Sequence, residues 1–195
     1  MKQTLLLFIQ NFYFLLFTFI SGLFYFSFYL LGITLGLSLS FTLIGIPLLT
    51  FILRTTSTFV QYERIQTKIY TNITVQPYRG QTNPEGPFWI QAREELLDRR
   101  NWQAVLWLML KSVIGIFSLI GAFVLYVIPL LLILAPILVY GFNVYFFGLV
   151  IDTLQESLLM TAAGLGVVLP FGWIGHRLVR MIGMYTRSII QSLIH

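Results

Sequence analysis

Long stretches without a charged side chain alternate with charged segments, and this pattern predicts membrane-spanning helices. Residues 3–53, 112–151 and 157–176 contain no Asp, Glu, Lys or Arg. A helix needs about 20 residues to cross the hydrocarbon core of a bilayer, so the first stretch is long enough to cross twice. We predict four spans, which are residues 12–33, 37–54, 112–136 and 158–176.

The composition agrees with a membrane protein. Of the 195 residues, 57% are hydrophobic and 10% are charged, and the mean hydropathy is +0.85. A soluble domain carries about 25% charged residues. This composition excludes a water-soluble monomer and a disordered chain, and it predicts an all-α polytopic membrane protein.

The cations predict how the chain is oriented. All twelve Lys and Arg residues lie before the first predicted span, between the second and the third, or after the fourth. The predicted turn near 32–40 and the segment 137–157 contain none. The positive-inside rule places the cation-rich side in the cytoplasm. We therefore expect a multi-pass protein of the cell membrane, with 54–111 and both termini cytoplasmic. A cleaved signal peptide is the alternative for the N-terminus, but its apolar run is too long and lacks an Ala-x-Ala site.

Two sets of matching residues predict an internal repeat. One set is offset by 93 positions and pairs Gly22-Leu23-Phe24 with Gly115-Ile116-Phe117. The other is offset by 123 positions and pairs Pro47, Arg54 and Tyr62 with Pro170, Arg177 and Tyr185. Chance similarity between apolar segments is the alternative.

The repeat predicts how one membrane domain, residues 1–195, is organised. Its half-repeats would be 1–70 and 92–195, joined by a cytoplasmic linker, 71–91, that is rich in Pro and Gly. Each half would contribute two spans and enter from the same side, so the repeat would be parallel, with its axis along the membrane normal.

Amphipathic segments outside the spans predict helices at the inner membrane interface. In 55–70, Phe59 and Tyr62 belong to an apolar stripe, with Glu63 on the opposite face. The segments 92–111 and 177–193 show similar stripes. We expect these helices to direct cations toward anionic headgroups, or to pack on one another as a cytoplasmic cap. The candidate lipid-contacting cations are Arg54, Arg64, Lys68, Arg177, Arg180 and Arg187.

Few residues outside the cations are candidates for a function. Asp152 and Glu156 are spaced i, i+4, so a helix would place both carboxylates on one face toward an external cationic ligand. An ordinary polar helix start is the alternative. The candidate helix kinks are Pro47, Pro129, Pro136 and Pro170. The spans show no charge at mid-depth, the chain has no Cys, and we find no catalytic motif. We expect no enzyme, cofactor or metal site.

Several apolar motifs carry a resemblance to a known family. They are Gly22-Leu-Phe-Tyr-Phe26, Leu35-Gly-Leu37, Leu43-Ile-Gly-Ile-Pro-Leu48, Trp102 with Leu106-Trp-Leu108, and Ser112-Val-Ile-Gly-Ile116. With these motifs the chain resembles the "Putative sensor" domain family of bacteria and archaea. That family is a four-span module found alone or N-terminal to histidine kinase cores, and the resemblance implies signal detection in the membrane.

Two functions therefore remain. The first is a sensor or interaction module that passes an envelope or membrane signal to a membrane or cytoplasmic partner. That partner would be a histidine kinase, an ABC transporter component or another copy of the chain. The second is a small transporter or channel subunit, which should line a wet path with polar groups. The predicted spans offer only Ser and Thr for such a path, so we favour the first. Besides protein partners we expect contact with the lipid bilayer and none with nucleic acid.

Overall fold

The structure is a computed structural model that describes residues 2–42, 44–74, 87–141, 145–146, 149–150 and 154–194. Its α-helices are α1 Lys2–Ser38, α2 Gly45–Thr71, α3 Phe88–Leu97, α4 Arg99–Ala122, α5 Ile128–Ile133, α6 Ala135–Gly141 and α7 Leu154–Ile194. A π-helical turn, Phe123–Val127, joins α4 to α5. The strands β1, Tyr145–Phe146, and β2, Leu149–Val150, pair antiparallel. Apart from this short pair, the turns and a few connecting residues, the described residues are helical, as predicted.

Helices α1 and α2 form an antiparallel hairpin. Near the N-terminal end of α1, the Gln10 amide donates to the carbonyl of Ile69 at 3.2 Å. Further along, the Tyr29 hydroxyl donates to the Thr56 hydroxyl at 3.1 Å. The two helices therefore pack along most of their lengths.

The turn of this hairpin corrects the predicted second span. The first predicted span lies within α1, but the chain reverses between Ser38 and Gly45, inside the predicted span 37–54. A β-carbon at position 45 would collide with the backbone of Leu39, so a glycine is needed for the reversal. Residues 37–54 therefore do not form one crossing helix.

Helices α1 and α4 are also antiparallel, and glycines bring their backbones into contact. A β-carbon on Gly22 would lie 2.7 Å from the carbonyl oxygen of Lys111. A β-carbon on Gly115 would lie 2.9 Å from the Cα atom of Phe19. Gly22 therefore contacts α4 four residues before Gly115, and Gly115 contacts α1 three residues before Gly22. Small residues allow this close approach of helices in membranes.

The geometry differs from the predicted parallel repeat. Gly22 and Gly115, which are offset by 93 positions, each contact the helix that carries the other glycine. Helices α1 and α4 nevertheless run in opposite directions, whereas a parallel repeat requires the same direction. Arg54 lies close to Thr56, which contacts Tyr29 of α1. Arg177 lies five residues after Gly172, which packs on Phe8 of α1. At 1.5 Å per residue these two arginines lie roughly 25 Å apart along the bundle, so the residues offset by 123 positions are not at equivalent depths.

Helix α7 packs antiparallel on α4 and α5 and extends the bundle beyond the start of α1. A β-carbon on Gly164 would lie 3.0 Å from the backbone nitrogen of Ile133, and one on Gly121 would lie 3.2 Å from the Leu178 side chain. The end of α6 and the start of α7 therefore lie at one end of the bundle, and the α1–α2 turn lies at the other. The sequence prediction had placed both on the outer side of the membrane.

The prolines occupy different helical positions. Pro129 and Pro136 are the second residues of α5 and α6, and Pro129 follows the π-helical turn. Pro47 lies in the first turn of α2, where its missing N–H breaks no helical hydrogen bond. Pro170 lies inside α7, which continues past it.

Three helices of the described residues are long and apolar enough to cross a membrane. They are Leu6–Ser38, Arg99–Ile133 and Gln155–Leu193. The chain is therefore a membrane protein. Helix α2 is not among these three.

The core contains two clusters. One joins α1, α2, α4 and the end of α7 around Tyr29, Leu53, Val60, Leu108 and Ile190. The other joins the first half of α1 to the π-helical turn and α7.

Candidate functional site

Helix α2 turns part of its polar face inward. Glu63 and Thr67 are each only 2% exposed, whereas Tyr62, Ile65 and Ile69 are more than half exposed. The sequence analysis had placed Glu63 on the solvent-facing side, and that prediction is wrong. Helix α2 therefore turns polar groups into the bundle and leaves these apolar side chains on its surface.

The buried carboxylate of Glu63 is paired with a lysine from another helix. Lys111 of α4, 3% exposed, forms an ion pair with Glu63. The Lys111 Nζ atom also donates a hydrogen bond of 3.0 Å to the Ser21 hydroxyl of α1. One ammonium group therefore connects three helices inside an apolar bundle.

The sequence around Lys111 explains its burial. The missing side chain of Gly22 lets α4 approach α1 at Lys111, so the lysine stem lies between the helices. Tyr25, one turn after Ser21, presents its ring 5.7 Å from Nζ. An aromatic face near an ammonium adds an attractive electrostatic contact.

The polar groups around this pair are only partly satisfied. The Oε1 atom of Glu63 is buried without a hydrogen-bond partner among the described residues. The side-chain nitrogens of Gln66 and Trp107 are also buried without a hydrogen-bond partner among the described residues. Because unsatisfied buried polar groups are rare and costly, this site can accept a proton, a water molecule or a shifted side chain.

A second ion pair ties α3 to the hairpin. Arg54 Nε donates to both carboxylate oxygens of Glu95, at 2.9 and 3.1 Å, and its guanidinium also donates to Gln91 at 3.0 Å. Glu95 is buried, whereas the Arg54 side chain is 42% exposed. Asp98 then begins α4 by accepting the Arg100 backbone N–H at 2.9 Å. Arg54, predicted to face headgroups, thus holds α3 in place.

The other predicted cations lie on the surface of the bundle. Lys68 is exposed and Arg64 is half-buried. Arg177, Arg180 and Arg187 of α7 are exposed.

The predicted acidic pair cannot be compared with the structure, because Asp152 lies outside the described residues. Glu156 is exposed in the first turn of α7. Within the ranges that the structure describes, no three His, Cys, Asp or Glu residues are grouped to hold a metal.

Sequence reasoning missed the Glu63–Lys111 pair because it counted both residues as cytoplasmic. The available signal was the reciprocal glycine pair, since Lys111 lies one turn before Gly115. Lys111 lies within the candidate span Arg99–Ile133 but one residue outside the predicted span 112–136, so the absence of charge at mid-depth stays a prediction.

These features define the class of the protein, a helical membrane bundle with a buried ion pair beside a glycine-mediated helix crossing. Residues 14–190 match the family described as "Putative sensor", and the chain belongs to this family. The predicted resemblance is confirmed. No curated protein and no solved structure matches the chain. Family membership indicates a sensing role.

Proposed function

We propose that this protein is a membrane-embedded sensor or interaction module that converts a membrane or envelope signal into a change of helix packing. The observation that carries this proposal is the buried Glu63–Lys111 pair, which couples α2 to α4 at the α1–α4 crossing. A buried ion pair adds little net stability, and its best-attested role is to specify how helices pack. This pair joins α1, α2 and α4 at the centre of the packing.

The incomplete hydrogen bonding around the pair allows two arrangements of the helices. Glu63 keeps one oxygen without a partner, and the nitrogen of Gln66 lies one turn away, also without one. A shift of α2 along α4 could exchange one partial set of contacts for another. An equilibrium between two such packings responds to any signal that favours one of them by a few kcal/mol.

We further propose a revised topology. The uncharged helical stretches around 112–141 and 157–176 cross the bilayer, and the segment between them faces outward, where Asp152 and Glu156 would meet an external stimulus. The cation-rich part of the bundle lies on the cytoplasmic side. The α1–α2 turn and the C-terminal end of α7 share that side, because they lie at the opposite end of the bundle. The start of α1 lies level with the crossing part of α7, where Phe8 meets Gly172, so a cytoplasmic N-terminus is not part of this topology.

The partner would dock on the cytoplasmic part. Helix α3 exposes Trp89 and Leu97 there, at 51% and 72%. A histidine kinase, an ABC transporter subunit or a second copy of the chain could read a movement of α3, since Arg54 links α3 to α2.

Distance measurements between spin labels test the proposal. The chain has no native cysteine, so labels can be introduced as Ile65→Cys on α2 and Leu110→Cys on α4, both exposed. We expect the distance between them to change when bilayer thickness or anionic lipid content is varied in liposomes. The control pair, Phe17→Cys with Val113→Cys beside the glycine crossing, should change less.

Two outcomes would count against a sensor. One is a 65–110 distance that does not change under any bilayer condition. The other is reproducible ion or solute flux through liposomes containing only this protein, which would favour a transporter. A photo-cross-linker at Leu97, with Leu159 on α7 as the control position, would then identify the partner in cells.

A further inference from the structure

A cleft between α1 and α7 opens on the side of the bundle away from the buried ion pair. Its volume is about 310 Å³, within the range of small-molecule sites. Leu7 and Phe8 of α1 and Val168 and Leu169 of α7 form its apolar part. Leu169 is 74% exposed, so the cleft opens sideways toward the surrounding lipid.

The floor of the cleft exists because residue 172 is a glycine. Its nearest neighbour across the cleft is the Phe8 ring, 3.6 Å from where a β-carbon would stand. A small addition would therefore fit, and a large side chain would fill the cleft. On the same helix Gly166 has nothing within 4 Å of such a carbon.

Polar groups gather at one end of the cleft only. Asn11 lines it and is 4% exposed, and its side chain reaches the Tyr126 hydroxyl, which lies behind this end next to Gly175. His176 lines the same end, one turn after the floor at Gly172. The cleft therefore runs from an apolar end to an end with hydrogen-bond donors.

Two arginines of α7 lie beyond the polar end of the cleft. The Arg177 guanidinium carbon lies 4.1 Å from the centroid of the Trp173 ring, and Trp173 lines the cleft. Arg180 follows one turn later and is exposed. In contrast, residues 157–176 contain no charged side chain.

We propose that this cleft binds one anionic glycerophospholipid of the surrounding bilayer. One acyl chain lies between α1 and α7, the ester carbonyl accepts from Asn11 or His176, and the phosphate lies beside Arg177 and Arg180. The sequence of apolar, hydrogen-bonding and cationic groups along the cleft matches the order of these parts in the lipid. The binding does not depend on the signalling role.

Native mass spectrometry of the full chain from mild detergent, with phosphatidylglycerol or phosphatidylcholine added, tests this proposal. We expect phosphatidylglycerol to remain bound in preference to phosphatidylcholine. Gly172→Leu should weaken phosphatidylglycerol binding about tenfold, while Gly166→Leu should leave it unchanged. Replacing Arg177 and Arg180 with Gln should reduce the preference about 30-fold, because each cation near anionic lipid contributes substantially, while Arg187→Gln should not.

Equal binding of the two lipids by the unmodified protein would overturn the proposal. Equal binding by Gly172→Leu and Gly166→Leu would also overturn it, by placing the lipid elsewhere. Circular dichroism of each variant verifies that it is folded. If Gly172→Leu fails to fold, Leu169→Asp at the open rim replaces it, with Leu159→Asp as its control. Undiminished phosphatidylglycerol binding by Leu169→Asp would also overturn the proposal.

Discussion

Removing one partner of the Glu63–Lys111 pair should destabilise the bundle far more than removing both. The two residues are 2% and 3% exposed, so Lys111→Met would leave the Glu63 carboxylate buried without its counter-charge. Such a loss costs about 3–5 kcal/mol, whereas replacing both members of a buried pair with apolar residues is often neutral or stabilising. Lys111→Met and Glu63→Leu should therefore each be strongly destabilising alone and much milder together.

Reversible unfolding of the purified protein measures this difference, in mixed micelles titrated with sodium dodecyl sulfate and followed by circular dichroism. The matched control is Lys68→Met, which removes an exposed cation from α2 and should change the free energy of unfolding by no more than about 0.5 kcal/mol. If the two single substitutions add without coupling, or if Lys111→Met is as mild as Lys68→Met, the buried pair does not hold α2 to α4.

Two further predictions concern the helix crossing and the topology. Gly22→Leu should separate α1 from α4 and destabilise the fold by about 1–3 kcal/mol, the usual effect of overpacking, whereas Gly166→Leu, with open space around it, should be nearly neutral; equal effects would show that the crossing tolerates side chains. Single cysteines at positions 41, 83 and 146 should react with an impermeant reagent on intact cells at 146 only. Labelling at 83 would refute the cation-based orientation, and labelling at 41 would refute the inner position of the α1–α2 turn.

The class of fold was predictable from charge-free stretches, but the hairpin turn was not. Residues 3–53 contain no charged side chain, so the charge pattern did not indicate where the chain reverses. The turn is stabilised locally by Ser40 and Thr42, whose hydroxyls donate to the carbonyls of Leu37 and Leu39 at 2.7 Å each. Such hydroxyls also occur inside apolar helices, where they bond to the preceding turn.

The direction that α2 faces was also not predictable from its own sequence. Glu63 and Lys68 alternate with apolar residues in the way that a solvent-exposed amphipathic helix would show. What turns Glu63 inward is a lysine on another helix, which local periodicity does not register. The matching glycines at 22 and 115 were visible in the sequence and did mark a real contact. The predicted parallel orientation of the two helices was wrong, because a 93-residue offset does not specify whether they are parallel.

The Glu63–Lys111 pair also constrains how the protein is made. Lys111 follows Glu63 by 48 residues, so at a synthesis rate of about 5–20 residues per second the carboxylate lacks its counter-charge for about 2 to 10 s. During that interval α2 has no stable place in the apolar core of the bundle and should stay at the membrane surface or within the insertion machinery. Its entry into the bundle would then follow the synthesis of Lys111, and ribosome stalling between the two residues should leave α2 accessible to protease.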